Sequence, residues 1–419
     1  MEIEKRVREI MLKTEETKVL RDPIHGYIHV DLKVIWDCIN AKEMQRLRRI
    51  HQLGGDFQVY HTAEHSRFSH SLGVYEIVRR MVYEIDQLNE ALSDYEKAVV
   101  MLAGLLHDIG HGPFSHAFEG ISAYKHEEYT VKIILEDSEI HQILAACDAR
   151  LPEDVASIIE YRHPKECMNQ LVSGQLDADR MDYLLRDAYF TGTSYGNFDL
   201  ERILRTIRVK NGKIVVKASG IHSVEDYIMA RYHMYWQVYL HPVARSYEAL
   251  LSLLFRRMKE VYVLHPEYLA NVKMFHPFLS GGDAGIEALY RLDESAALYG
   301  FSELVACRDE ILSDISYRLL NRKLFEYVTL KKPEDLERIC LHVQRLGYDP
   351  EYYVYQDVVS QKPYSPYKSN ESGHNIWVLE ENGRVKELSK ASDIVRALTR
   401  ADLKEESKIY FPEEKLAVK

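Results

Sequence analysis

The segment Ser93–Gly112, SDYEKAVVMLAGLLHDIGHG, constrains this chain more than any other. From Ala98 to Leu106 every residue is apolar, so a helix here has no wettable face and must lie in the middle of a bundle. Ser93 and Glu96, three residues apart ahead of that run, form a capping-box pattern that sets its start, and Gly110 and Gly112 end it. The buried rod finishes in two adjacent ionisable groups, His107 and Asp108. Burying an unpaired carboxylate is costly. A bound cation supplies a reason for the pair.

Apolar periodicity predicts further helices at about 69–89, 124–136, 176–189, 222–260 and 303–321, so residues 34 to 330 read as successive helices. Two Asn-Gly pairs between alternating apolar residues predict β-hairpins, at Asn211-Gly212 and at Asn382-Gly383. Residues 322 to 419 mix strands with a helix over Pro333–Gly347, and the stretch YSPYKSNESG reads as an exposed loop. At 419 residues the chain exceeds the roughly 250–300 at which single cores stop growing, so one large unit with appendages is expected.

Acidic residues outnumber basic ones, 65 against 54, which argues against general nucleic-acid binding but leaves room for a small anion in a local basic pocket. No apolar run approaches the roughly 20 residues of a membrane span, and the first residues lack the apolar stretch of a signal peptide. The expected location is the cytoplasm, with no membrane partner. The five cysteines are scattered and never arranged as C-x-x-C, so neither a disulfide framework nor a thiolate zinc site is expected.

Six histidines fall between His65 and His126. His70 opens the helix before the apolar rod, and Asp179 lies in the later segment LDADRMDYLLRD. With His107 and Asp108 they make two imidazoles and two carboxylates, a donor set suited to one Mn, Fe, Zn or Mg ion with positions left for water and a phosphate oxygen. His111 is four residues from His107, on the same face if the helix persists. His126 stands beside Glu127, which would orient it as general acid/base, and His116 is read as a phosphate-contacting imidazole. Asp179, Tyr183 and Asp187 recur at every fourth position and so share a helix stripe. Arg67 and Arg180 flank the ligands and suit bidentate phosphate contacts. Asp177, Asp182 and Arg186 read equally as a solvated helix face, the favoured reading for Asp182 and Arg186, and the aromatic stretch Arg231–His241 reads equally well as amphipathic core.

At these residues the chain resembles the HD-domain superfamily, and within it the deoxynucleoside triphosphate triphosphohydrolase branch. The matching text is DPIHGYIHV, MQRLRRIHQLGG, HSRFSHSLGVYE, AGLLHDIGHGPFSHAFEG, KHEE and LDADRMDYLLRDAYFTG, nearly continuous over the first half. The resemblance implies a mainly α fold: an HD-domain helical bundle with small β-hairpins and a C-terminal α+β appendage. The implied layout is an N-terminal segment with short strands over 1–33, a catalytic core over 34–330 and the α+β region over 331–419.

It also implies that His70, His107, Asp108 and Asp179 hold the metal, with His111, His116 and His126 around the scissile phosphate. Arg67, Arg180, Tyr183, Asp187 and Arg231 fall where the family holds phosphates and sugar, and Gln52 and Leu53 match the pair that packs on the deoxyribose. The implied activity is hydrolysis of a dNTP to deoxynucleoside and inorganic triphosphate, with further Mg accompanying the nucleotide. Gln45, Arg48, Arg202 and Arg322 match positions that bind activating nucleotides between subunits, which implies a dimer or tetramer. Two other readings keep the same residues: an HD phosphohydrolase of a monophosphate, alarmone or cyclic nucleotide, and a nucleotide-sensing module without turnover.

Overall fold

The protein is described by a computed structural model over residues 9–361, 375–400 and 404–414. The chain starts with an antiparallel hairpin, β1 (Lys13–Asp22) and β2 (Gly26–Leu32), in register Asp22↔Gly26. Its tight turn is held by Asp22, whose Oδ1 accepts the backbone N–H groups of Ile24 at 2.8 Å and His25 at 3.0 Å. The turn carries His25 inward against the helices.

Helix α1 (Arg67–Glu84) and helix α2 (Asp94–Leu106) pack together as the centre of the bundle. The capping box at Ser93 and Glu96 is present, and every residue from Ala98 to Leu106 is buried, as the apolar run demands. Helix α3 (His126–Leu135) crosses the end of α2 so closely that a Cβ on Gly110 would lie 2.2 Å from the carbonyl oxygen of His126. Only glycine fits there. Thr130 of α3 closes the junction, donating to the His107 carbonyl and accepting from the Gly110 N–H, each at 3.0 Å.

Helix α4 (Ala178–Thr191) lies against α1 and ends on Gly192 in the left-handed conformation, φ 70°. Strands β3 (Ile207–Lys210) and β4 (Lys213–Lys217) form the expected hairpin, with Asn211 and Gly212 at φ 53° and 74°, the signature of a type I′ turn.

The single helix expected over 222–260 is two, α5 (Ile221–Met234) and α6 (Pro242–Leu264). A π turn at Tyr235–Tyr239 widens the ladder, and Pro242, which has no N–H to donate, can only open a new helix. The helix expected over 303–321 also starts later, as α7 (Glu310–Leu320), where Asp309 caps by accepting the Leu312 N–H. The one expected over 69–89 breaks at extended Ile85.

Beyond α7, β5 (Glu326–Thr329), α8 (Pro333–Arg345) and β6 (Tyr355–Gln361) precede β7 (Trp377–Leu379), β8 (Val385–Glu387) and β9 (Lys404–Phe411). The stretch YSPYKSNESG lies outside the described residues. Strands β7 and β8 pair around Asn382-Gly383 as expected, and β7 then adds in parallel to β4, giving the sheet order β3-β4-β7-β8. A second sheet runs β5-β9-β6 and is tied to α6 by a bidentate pair, Arg245 to Asp357, with both contacts at 2.8 Å. The protein is therefore mainly α, a helical bundle with small sheets. All five cysteines are free thiols, and no helix of the described residues is long and apolar enough to cross a membrane.

Candidate functional site

Helix α2 ends at Leu106, and His107 caps it with Nδ1 2.9 Å from the Gly104 carbonyl of its own last turn. That contact directs Nε2 away from the helix, where it is buried without a hydrogen-bond partner. Around it stand Asp108 Oδ1 at 3.4 Å and Asp179 Oδ1 at 3.6 Å. His70, from the first turn of α1, brings its Nε2 to 3.0 Å from Asp179 Oδ1 and 3.9 Å from Asp108 Oδ2. The four residues expected as metal ligands thus meet, and the ligand atoms of His70, His107 and Asp179 all lie within 4.8 Å of one another. Two imidazole nitrogens and two carboxylates at a buried helix end, one nitrogen unpartnered, fit a divalent cation.

Burial opposes charge on these groups, but their mutual contacts win. The nearby imidazoles of His107 and His70 hold the Asp179 carboxyl well below the usual range. Burial would lower the His70 imidazole, yet Asp179 and Asp182 raise it to about 10. Asp108 is held well below its ordinary value, against burial, by His107 and Arg67. Arg67 bonds Asp108 through Nη1 and Ser115 Oγ through Nη2, the latter at 2.7 Å.

The helix does not persist to His111, contrary to the one-turn spacing expected. The chain turns at Asp108–Gly110, and His111 comes back with Nε2 3.3 Å from Asp108 Oδ1. Its ring stacks on His126, and Asp108, His111 and His126 form a second cluster of potential ligands beside the first. Burial and the Arg67 charge hold the His111 imidazole well below its ordinary value. His126 Nδ1 donates to Glu119 Oε1 at 2.8 Å, while Glu127, the orienting carboxylate expected from sequence, is at 3.4 Å. His116 opens the short helix His116–Glu119, and its side chain lies outside the described residues.

The Gly112–Ser115 turn between these histidines holds Phe114 and Ser115 in the left-handed region, at φ 58° and 51°, where side chains are strained. Glu294, buried, secures it by accepting the N–H of Phe114 at 3.2 Å and of His51 at 3.0 Å.

Of the residues expected on substrate, Asp187 is buried and accepts from His65 Nε2 and from the Tyr239 hydroxyl, each at 2.8 Å. Tyr183, one turn earlier, has its ring 6.1 Å from that of Tyr239 and 6.5 Å from that of His70. The His65 carbonyl accepts the Gln52 N–H at 2.9 Å, a main-chain contact on the same histidine whose ring holds Asp187. Gln52 Oε1, Arg67 Nε and Arg231 Nε are buried without hydrogen-bond partners, and Leu53 is buried. Arg231 Nη1 reaches Gln175 Oε1 at 3.1 Å. Arg180 turns to Asp177 and the Gly174 carbonyl.

The solvated face expected for Asp177, Asp182 and Arg186 is not there: all three are fully buried. Asp177 caps α4, accepting the Arg180 N–H at 2.8 Å, and Asp182 and Arg186 pair behind His70. The aromatic stretch also divides its roles, with Val238 in the core and Tyr239 on Asp187. Sequence reasoning missed His65, Ser115, Glu119, Tyr239 and Glu294. Of these, His65 opens the HSRFSHSLGVYE motif, Ser115 and Glu119 stand inside GHGPFSHAFEG and Tyr239 lies in the aromatic stretch Arg231–His241, all usable signals; Glu294 carried none.

The activator residues expected from sequence contact groups other than the expected ligands. Gln45 Oε1 accepts from Arg48 Nε at 2.8 Å, and Arg48 covers the Phe68 ring. Arg202 donates to the Ser219 carbonyl at 2.9 Å and Arg322 to that of Gln58 at 2.9 Å.

Residues 67–187 match the HD domain family and residues 198–274 match the HD associated region. The chain is 45% identical over 409 residues to the protein YwfO of Bacillus subtilis, covering 96% of this chain and 94% of that one. It is 31% identical over 256 residues to the deoxynucleoside triphosphate triphosphohydrolase SAMHD1 homolog of Dictyostelium discoideum, covering 57% of this chain and 49% of that one. The crystal structure of a phosphohydrolase from Bacteroides thetaiotaomicron superposes with a TM-score of 0.82 at 29% identity, covering 94% of this chain and 100% of that one.

Fold and site together define a helical, metal-dependent phosphohydrolase. Within that class the chain belongs to the HD-domain superfamily, in the branch related to the deoxynucleoside triphosphate triphosphohydrolases.

Proposed function

We propose that the protein hydrolyses deoxynucleoside triphosphates to deoxynucleoside and inorganic triphosphate, in the cytoplasm. The observation that carries this reading is the convergence of Gln52 and Asp187 on His65, beside an Arg67 that spans from the ligand cluster toward Gln52. A sugar lodged there meets a polar pair at its 3′ edge and apolar Leu53 against its 2′ carbon, which leaves a 2′-hydroxyl without a partner. Such a site rejects ribonucleotides by desolvation as well as by fit. The relationship to dNTP triphosphohydrolases supports the same substrate.

His70, His107, Asp108 and Asp179 would hold a divalent cation, Mn, Fe, Zn or Mg, which supplies Lewis acidity at the phosphoryl oxygen and at the attacking water. Arg67, Arg180 and Arg231 bind the triphosphate, with Tyr183 closing its side. The water oxygen joins the α-phosphorus as the bond from that phosphorus to the 5′-oxygen breaks. His126, oriented by Glu119, hands the leaving 5′-oxygen its proton and is reprotonated from solvent, which takes up the proton that the attacking water loses; His111 and His116 are assigned to the phosphate. The residues 34–330 form the catalytic unit in this reading. Activation by nucleotides at Gln45, Arg48, Arg202 and Arg322 in a homo-oligomer, with Mg on the bound nucleotide, completes it; the exposed guanidinium groups at these positions support it.

The test is product analysis of metal-loaded protein incubated with each dNTP, alone and in mixtures. Inorganic triphosphate with deoxynucleoside is the expected outcome. Orthophosphate from a nucleoside monophosphate, with dNTPs untouched in every mixture, would replace the substrate and keep the metal chemistry.

A further inference from the structure

Asp182 accepts four hydrogen bonds, enough to occupy both oxygens of a carboxylate. His25 Nε2 at 2.6 Å and Arg186 Nη2 at 2.9 Å meet Oδ1, while His70 Nδ1 and Arg186 Nε, both at 2.8 Å, meet Oδ2. Arg186 continues to Asp22 Oδ2 at 2.8 Å, and the other oxygen of Asp22 holds the β1–β2 turn that carries His25. The side chains of His70, Asp182 and Arg186 are completely buried, and His25 is 3% exposed. Helix α1 makes room at Gly73, where a Cβ would stand 1.8 Å from Asp182 Oδ1 and 2.5 Å from Arg186 Nη2. A mid-helix glycine costs about 0.5–1 kcal/mol relative to alanine, so its place here serves the carboxylate behind it.

An ionised carboxylate clamped by a guanidinium only accepts hydrogen bonds, so His70 Nδ1 must carry a hydrogen, and Nε2, 3.0 Å from Asp179 Oδ1, is the nitrogen left to face a cation. The two histidines are therefore set differently. A backbone carbonyl of its own helix fixes His107, whereas a side-chain chain running from residue 22 to residue 186 fixes His70.

We propose that Asp182 is a positioning residue for the metal centre, and that the β1–β2 turn, through His25 and Asp22, is part of that centre although it lies outside the segment matching the HD domain. The inference rests on the proposed role of His70 as a ligand. It assigns metal affinity to a turn more than 40 residues before the first ligand in sequence.

The test uses the full chain, stripped of metal and titrated with cobalt(II) alone, read by its visible d–d absorption and its dissociation constant. In Asp182→Asn the affinity is expected to fall about 10- to 100-fold and the band to shift, as for lost outer contacts to a ligating histidine. His25→Ala, which leaves Arg186 on Asp182, is expected to weaken cobalt several-fold with the metal-free melting temperature still well above the assay temperature. Asp182→Asn folded, with affinity within twofold of the parent and the same band, overturns the proposal. If that variant does not fold, an unchanged affinity and spectrum in His25→Ala overturns it. A parent chain that takes up no cobalt overturns the ligand assignment itself, a separate failure visible before any variant is made.

Discussion

The imidazoles of His111 and His126 lie face to face, with centroids 3.8 Å apart and planes at 19°. Two stacked rings so close disfavour a charge on both. Burial and the Arg67 charge favour a neutral His111, and His126 is the member of the pair bonded to a carboxylate, Glu119.

Replacing His126 by alanine is accordingly expected to lower turnover by about 100-fold or more, the range for lost acid/base assistance. Metal content, measured by elemental analysis, should match the parent. Undiminished turnover would remove His126 from the mechanism.

Structure and sequence disagree over the partner of that histidine, and the disagreement is measurable. Glu119→Gln should reduce kcat about 10-fold or more, within the range for a lost outer partner, and Glu127→Gln by clearly less, because Glu119 makes the shorter contact. The reverse order would restore Glu127 as the orienting carboxylate.

Asp108→Ala and His107→Ala should abolish both metal retention and hydrolysis. Far-ultraviolet circular dichroism is expected to stay close to the parent, since α2 is held by its apolar faces rather than by the two residues that follow it. Full activity in either variant contradicts the ligand assignment.

Leu53→Gly removes the apolar side chain next to Gln52 that is proposed to pack on the sugar. Poorer rejection of ribonucleotides should follow, read as the ratio of kcat/KM for dNTP and NTP. An identical ratio in variant and parent counts against the sugar contact.

His51 provides a pH-dependent contribution to stability. Burial would lower its pKa, but hydrogen bonds to Glu294 and Glu64 outweigh that and raise it to about 9. Because the folded value lies above the ordinary 6.5, the stabilisation is complete below pH 6.5 and disappears as pH rises through about 9. His51→Gln should therefore destabilise at pH 6 by about 1–2 kcal/mol, discounted for the exposure of Glu64, and by much less at pH 10. Chemical denaturation at the two pH values measures the difference; equal losses at both would refute it.

What could be read from the linear chain was whatever depends on near neighbours. An uninterrupted apolar run must be buried, a serine three residues before a glutamate caps a helix, and Asn-Gly reverses a hairpin; α2 and both hairpins appear where those rules put them. The order of His70, His107, Asp108 and Asp179 on helix ends was legible for the same reason. Tertiary structure alone decided the surroundings. Asp182 and Arg186, four apart, look in sequence like a solvated ion pair, because that spacing is identical on a wet face and a buried one. They are buried because a turn some 160 residues earlier covers them with His25 and Asp22, a contact between segments whose distance along the chain says nothing of their distance in space. Glu119 displaced Glu127 for a like reason: adjacency in sequence places two Cα atoms together, but the direction of a side chain is set by what the fold packs around it.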